Sequence, residues 1–280
     1  MTIKTYVFFV FALLFFPSLG ANFVLFTEPK TGTHLLIPIL ETLTGKKVYW
    51  AKEFALQTED VDLFNILDLE NPESFIFSIR KKSWHRHIME QVWETTEKQG
   101  AFLHLHPPYS QTMENYLAEK KHINFFIKRD PRDQAVSLLN HYKYIHLNDK
   151  ALEDILSDDE RLLFLIQNRL REKITSFKGW LKSPSCCVLE FHKLMGSHGG
   201  AATDQEALVE LRKIAKALSI NISDNDLFAI YKKHFGHGWN FFQGKVGSWK
   251  TYFKEHHKSA AKKEIGDLLI ELGYENDDQW

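Results

Sequence analysis

Cysteine is scarce in this chain. Cys186 and Cys187 are its only two, and they are adjacent. Neighbouring strand residues point to opposite faces, so a bridge between them would be strained, and no disulfide framework is available. Both are read as small, buried apolar residues. An excess of charge is missing too: 35 Lys and Arg against 36 Asp and Glu leave a formal net charge of -1. No overall field attracts an acidic membrane surface or nucleic acid, and no nucleic-acid partner is expected. Internal repeats and low-complexity segments are absent. The N-terminal apolar run, Tyr6 to Phe16, holds about 11 residues, short of the roughly 20 that span a bilayer.

That run has instead the parts of an export signal. Lys4 precedes it, and Pro17-Ser18-Leu19-Gly20-Ala21 follows, with Ser18 and Gly20 at the -3 and -1 positions of a small-residue cleavage pattern. Residues 1–20 are expected to be a signal peptide and residues 21–280 one domain, exported or in a secretory-pathway lumen. Joining the apolar stretch Phe23 to Phe26 to the run would make a membrane anchor. A segment without signal function would leave the chain in the cytoplasm. At 280 residues, 44% hydrophobic and 25% charged, the composition is that of an ordinary globular protein able to bury a sizeable core.

Strand-like and helical patterns alternate, which predicts an α/β fold of three layers with a central, mostly parallel sheet flanked by helices. Strands are expected at 22–27, 75–79, 101–105, 123–128 and 186–191. Helices are expected from Thr33 on, at 83–98, 109–121, 159–182, 206–218 and 224–235, and from Ser248 almost to the end. Pro38 inside the first helix predicts a kink. Asp130-Pro131 opens another helix, with Asp130 as cap and Pro131 at the first helical position. The stretch 196–202 is the most flexible by composition.

Two strand-to-helix junctions carry the chemistry. The first reads Thr27-Glu28-Pro29-Lys30-Thr31-Gly32-Thr33-His34. A Gly turn between a strand and a helix N-terminus gathers backbone N–H groups and the helix dipole at one point, which suits an anion. Lys30 adds a charge, and Thr31 and Thr33 add hydroxyls. The Walker A spacing G-x-x-x-x-G-K-S/T is absent, which weighs against a nucleotide kinase. The second junction reads Lys128-Arg129-Asp130-Pro131-Arg132-Asp133. Arg129 leaves a strand end just before a helix, and a guanidinium suits bidentate contact with phosphate. The plainer alternative is a solvated Arg paired with Asp130 or Asp133.

Pro29-Lys30-Thr31-Gly32-Thr33 resembles the 5'-phosphosulfate loop, P-K-S/T-G-T/S, of sulfotransferases that use 3'-phosphoadenosine-5'-phosphosulfate. Arg129 followed by Ser137, in R-D-P-R-D-x-A-V-S, resembles their 3'-phosphate motif. Gly244-Lys245-Val246-Gly247-Ser248-Trp249-Lys250 resembles their C-terminal loop. The motifs fall in family order over residues 22 to about 255. The resemblance implies a P-loop-like fold and transfer of a sulfuryl group to a hydroxyl or amine of a small molecule or glycan, releasing adenosine bisphosphate. It implies that Lys30 stabilises the leaving phosphate. Thr31, Gly32, Thr33 and His34 would hold the 5' end, and Arg129 and Ser137 the 3'-phosphate. His106, in His106-Pro107-Pro108-Tyr109-Ser110, matches the family's general base, and a His near neutrality suits that work. His104 shares its strand face and is placed on the acceptor side, as is Trp50. Aromatics make up 14% of the chain, so core packing is the alternative for Trp50. No metal is expected: a His-x-His pair lacks further ligands. His85, His87, His256 and His257 lie in polar helical segments and are read as solvated.

The chain departs from the family at its C-terminal loop. Phe242 and Gln243 stand where Arg-Lys is usual, Ser248 stands for Asp, and Phe191 keeps an aromatic without the hydroxyl of the usual Tyr. Lys245 is the nearest replacement charge. The second reading is therefore a sulfotransferase-like nucleotide-binding protein without catalysis. Donor affinity is expected to fall below that of members with the Arg, and a measured affinity equal to theirs would contradict this.

Overall fold

The computed structural model describes residues 22–50, 96, 98, 100–144, 157–236 and 243–280. The signal-like segment, the strand expected at 75–79, most of the helix expected at 83–98, and His85 and His87 lie outside the described residues. Among the described residues, no helix is long and apolar enough to cross a membrane.

The first half alternates as the sequence predicts, with one further strand, Lys47–Trp50, that the expectations did not include. Strand β1 (Phe23–Phe26) leads to helix α1 (Thr33–Thr44) and strand β2 (Lys47–Trp50). Strand β3 (Ala101–Leu105), helix α2 (Gln111–Lys120), strand β4 (Ile123–Lys128) and helix α3 (Pro131–Tyr144) follow. α1 continues through Pro38, so the proline does not end it. α3 begins as expected: Asp130 Oδ1 accepts from the Arg132 N–H at 2.9 Å, and Pro131 takes the position whose N–H would have no helical acceptor.

The expected long helix is helix α4 (Asp158–Leu165), a π-helical segment (Ile166–Leu170), helix α5 (Arg171–Phe177) and a 3-10 turn (Lys178–Lys182). Strand β5 (Cys186–Glu190) runs into helix α6 (Phe191–Leu194). The stretch read as most flexible contains a short helix, α7 (Gly196–Gly199). Helices α8 (Asp204–Ala217), α9 (Asp224–His234), α10 (Trp249–Tyr252) and α11 (Glu255–Glu271) complete the order.

The five described strands form one parallel sheet in the order β2-β3-β1-β4-β5. Side chains alternate across it. Phe23, Leu25, Phe125 and Ile127 pack on the face covered by α1, α8 and α9. Val24, Phe26 and Phe126 pack on the other, against Met113 and Leu117 of α2 and against Phe177 and Trp180. The two cysteines are free and follow the same rule, Cys187 on the first face and Cys186 on the second. A third apolar cluster, made of α3, α4, the π segment and α11, carries the C-terminal part.

Strand β1 changes partner halfway. It pairs with β4 at Phe23 and Val24, and with β3 at Leu25 and Phe26. β1 and β4 therefore lose direct pairing toward their C-terminal ends, at the point where the strand order reverses. Such a switch point is where open parallel sheets bind ligands. Asn124 fills the gap: its Oδ1 accepts from the Phe26 N–H at 2.7 Å, and its Nδ2 donates to the Phe26 carbonyl at 3.2 Å. All of these atoms are buried, so Asn124→Ala leaves two backbone groups without that partner. Unfolding by urea is expected to show a loss of about 1–3 kcal/mol with little change in denaturant slope.

Candidate functional site

The turn from β1 to α1 lies at this switch point, and its most distinctive feature is the fate of its carbonyls. Four consecutive ones are each held by a side-chain donor. His106 Nδ1 donates to Thr27 at 2.6 Å, and Thr31 Oγ1 to Glu28 at 2.7 Å. Lys173 Nζ donates to Pro29 at 3.0 Å, and Arg129 Nη1 to Lys30 at 2.7 Å. Lys30 at φ 69° and Gly32 at φ 108° are both left-handed, a conformation that turns successive N–H groups toward one side. Gly32 is also the N-cap of α1, whose first N–H groups have no acceptor within the helix. A turn at a helix N-terminus with its acceptors tied back in this way suits an anion.

Thr31 and Thr33 serve the turn itself. Thr31 makes the bond above, and Thr33 Oγ1 bonds Thr27 Oγ1 at 2.8 Å. Their hydroxyls are engaged inside the loop, which leaves their backbone groups for a ligand.

Arg129 links this turn to the second junction. Its guanidinium lies 4.2 Å from the centre of the Phe191 ring, and its Nε is buried with no hydrogen-bond partner among the described residues. Burial lowers its pKa, and Asp133 and Asp130 oppose the shift; a guanidinium stays charged regardless. Phe191 is buried and also meets the turn: a Cβ added at Gly32 would lie 2.9 Å from Phe191 Cδ2. Gly32, Phe191 and Arg129 thus stack in one column. Ser137 lies farther along α3 and is half-buried, and His141 follows it by one turn.

The neighbouring acids leave Arg129 available. Asp130 is occupied by Arg132, through Nε at 3.0 Å and Nη2 at 2.8 Å. Arg132 is almost fully buried between Trp249 (4.0 Å) and Trp280 (4.5 Å), and it also bonds Glu275. Asp133 accepts from Gly247 N at 2.7 Å, Ser248 Oγ at 3.0 Å and Trp249 N at 3.0 Å. It anchors the C-terminal loop beside α3. Gly244 in that loop has φ 62°, and the neighbouring Val246 N–H bonds the Gly199 carbonyl at 3.0 Å. Lys245 is exposed and makes no hydrogen bond or ion pair among the described residues.

His106 follows β3. The Thr27 carbonyl can only accept, so Nδ1 carries the proton and Nε2 keeps its lone pair. The segment after it is braced: Trp180 Nε1 donates to the Pro107 carbonyl at 3.1 Å, and the Tyr109 N–H to the Ser176 carbonyl at 2.8 Å. Burial first, then Lys173, His34 and Lys30, lower the His106 pKa to about 4. The same causes operate nearby. Burial and Lys30 take His34 to about 4, and burial, Lys30 and His34 take His141 to about 4. His104 is buried, edge-on to His106 at 4.7 Å between ring centres, and burial drives its pKa well down. His34, His106 and His141 are therefore neutral at pH 7 near Lys30, and buried His104 is neutral with them. Trp50 pairs in register with His104 through the backbone of β2.

The sequence reading missed several contributors. Lys173 lies outside every motif. Glu28, a buried acid between Lys173 (3.7 Å) and Gln134 Nε2 (3.1 Å), carried a signal as a charge directly after an apolar strand. His257 corrects an expectation: it is buried, with its Nε2 donating to the Asp159 carbonyl at 2.9 Å. His256 is exposed, as expected, and pairs with Asp159 at 3.1 Å. Ligand atoms of Asp159, His256 and His257 lie within 4.8 Å of one another. His257 is poorly set for a metal, because its Nδ1 accepts from the Lys254 N–H at 3.2 Å and its Nε2 is protonated.

No protein-family model and no curated protein matches the chain. Solved structures do. Mouse sulfotransferase SULT7A1 complexed with PAP superposes with a TM-score of 0.58 at 14% identity, covering 91% of this chain and 88% of that one. Retinol dehydratase in a complex with retinol and PAP gives a TM-score of 0.56 at 16% identity, covering 90% and 81%. The same enzyme with androsterone and PAP gives 0.51 at 15% identity, covering 89% and 80%. The chain has the sulfotransferase fold. This likeness extends over about nine-tenths of its length, and the parallel sheet with helices on both faces is the core of that sulfotransferase fold.

Two outcomes follow from this geometry. Gly32→Ala forces a side chain into a left-handed position and against Phe191, and is expected to lower stability by roughly 1–3 kcal/mol, read by chemical denaturation. The second concerns acid. Between about pH 6.5 and about pH 4 the unfolded chain binds more protons at His34, His106 and His141 than the folded chain does. Stability from these groups is complete above about 6.5 and declines as the pH falls toward 4. Melting temperatures across that range should drop, and less steeply in His141→Gln.

Proposed function

We propose that the chain is a sulfotransferase using 3'-phosphoadenosine-5'-phosphosulfate. The observation that carries this reading is the tied-back turn, with Lys30 beside it and the Arg129 guanidinium joining it to the second junction. One ligand with an anionic group at each end fits that pairing. The likeness to PAP-bound sulfotransferase structures supports the same donor.

The division of labour follows from the chemistry. Sulfuryl transfer, like phosphoryl transfer, moves a group in line between two oxygens, so positioning and charge stabilisation dominate. The backbone of Thr31, Gly32, Thr33 and His34 holds the 5' end, and Lys30 stabilises charge on the departing phosphate. Arg129 and Ser137 hold the 3'-phosphate, with Phe191 beneath Arg129. His106 Nε2 takes the proton of the acceptor's hydroxyl or amine. Gly244 and Lys245 belong to the C-terminal loop that Asp133 anchors through Gly247, Ser248 and Trp249, and exposed Lys245 is the loop's charge toward the donor in place of the missing Arg-Lys pair. The acceptor is a small molecule or glycan that enters on the side of His104 and Trp50.

The absent Arg-Lys pair before Gly244 favours one alternative, a nucleotide-binding protein without transfer activity. Calorimetric titration with 3',5'-adenosine bisphosphate and with ATP tests the common part. The bisphosphate should bind and ATP should bind at least tenfold more weakly, with Arg129→Ala abolishing the preference. Equal binding of both would refute the donor assignment. Transfer of radiolabelled sulfate to a panel of hydroxyl and amine acceptors separates enzyme from binder. His106→Ala should reduce transfer by 10²-fold or more, with bisphosphate binding retained.

A further inference from the structure

We infer that Lys173 is a positioning residue of this site: it holds the Pro29 carbonyl away from the bound anion and sets its ammonium on the turn that His106 also grips. The inference rests on the anion-site reading above and adds to it a residue from outside the motifs. Lys173 stands on α5, directly after the π-helical segment Ile166–Leu170. A π segment shifts the facing of everything after it, and such segments recur at functional sites. Here Ile174 and Phe177 point into two different cores, while Lys173 reaches the turn between β1 and α1.

The geometry separates Lys173 from an ordinary surface ion pair. Its side chain is 12% exposed, its Nζ donates to Pro29 at 3.0 Å, and Glu28 lies at 3.7 Å. Of the four donors to the turn, His106, Thr31 and Arg129 belong to the motifs and Lys173 does not. Without it the Pro29 carbonyl, next to Lys30, would be free to swing its negative end toward an anion. The groups bearing on His106 come from every side. The Thr27 carbonyl accepts its Nδ1 proton, Lys30 and His34 approach from the turn and α1, His104 from β3, and Lys173 from α5. Glu28 partly balances Lys173.

The test is His106 titration, followed by NMR of the imidazole in the unliganded protein. Lys173→Met keeps the aliphatic stem, and Lys173→Arg keeps the charge and a donor. Wild type should titrate near pH 4, Lys173→Met at higher pH, and Lys173→Arg close to wild type. Bisphosphate affinity should fall at least tenfold in Lys173→Met and recover in Lys173→Arg. An unmoved His106 midpoint in folded Lys173→Met would overturn the inference and mark a merely structural lysine. If Lys173→Met does not fold, the wild-type lysine ammonium spectrum decides: the Lys173 signal should shift across the His106 titration, and a signal blind to it is the contrary result. Because the titration needs no ligand, failure of the donor assignment would show separately, as a wild-type protein that does not bind the bisphosphate.

Discussion

A backbone turn that binds an anion must dispose of its own carbonyls. Each peptide unit that offers an N–H also carries an oxygen with partial negative charge, and a short turn has no ladder in which to bury it. Here the oxygens of four successive residues are held by donors from four places: β3's end, the turn itself, α5 and the junction after β4. The site therefore depends on the packing of the whole molecule. α5 must lie where Lys173 reaches Pro29, and β3 must end where His106 reaches Thr27. The parting of β1 from β4, bridged by Asn124, gives the turn room to form.

The same contacts couple structure to chemistry. The bond that ties back Thr27 fixes the tautomer of His106, so one hydrogen bond both shapes the proposed anion site and leaves Nε2 unprotonated. The bond that ties back Lys30 comes from Arg129, so the two ends of the proposed donor site share a link. Gly32 is required twice, by its left-handed backbone and by the Phe191 ring against it. The low pKa values of the surrounding histidines follow from crowding imidazoles and ammonium groups in a place with little water. At pH 7 these imidazoles are neutral, which in the proposed reading leaves His106 free to act as a base.

The sheet was legible because parallel strands buried on both faces read as short apolar runs, and Phe23 to Phe26 and Ile123 to Lys128 have that form. The start of α3 was legible for a different reason: Asp130-Pro131 is a local signal, satisfied by atoms two residues away. The motif residues Lys30, Gly32 and Arg129 were legible by resemblance, and the structure brings them to one switch point. Long-range partners were not. Lys173 is 144 residues from Pro29 in sequence, and nothing local marks it. The burial of His257 depends on the packing of α11 against α4, which a polar helical pattern does not reveal.

The C-terminal loop shows how a departure from a motif can leave architecture intact while changing charge. Its usual acid is Ser248 here, yet the loop remains fixed, because Asp133 supplies the acceptor from the α3 side and takes two backbone N–H groups and the Ser248 hydroxyl. Lys245, the nearest charge on the loop, is exposed. In the proposed reading, with Lys245 as the loop's remaining charge, Arg129 carries a larger share of donor discrimination. Its buried Nε, without a hydrogen-bond partner in the described structure, is the donor best placed to take up that share.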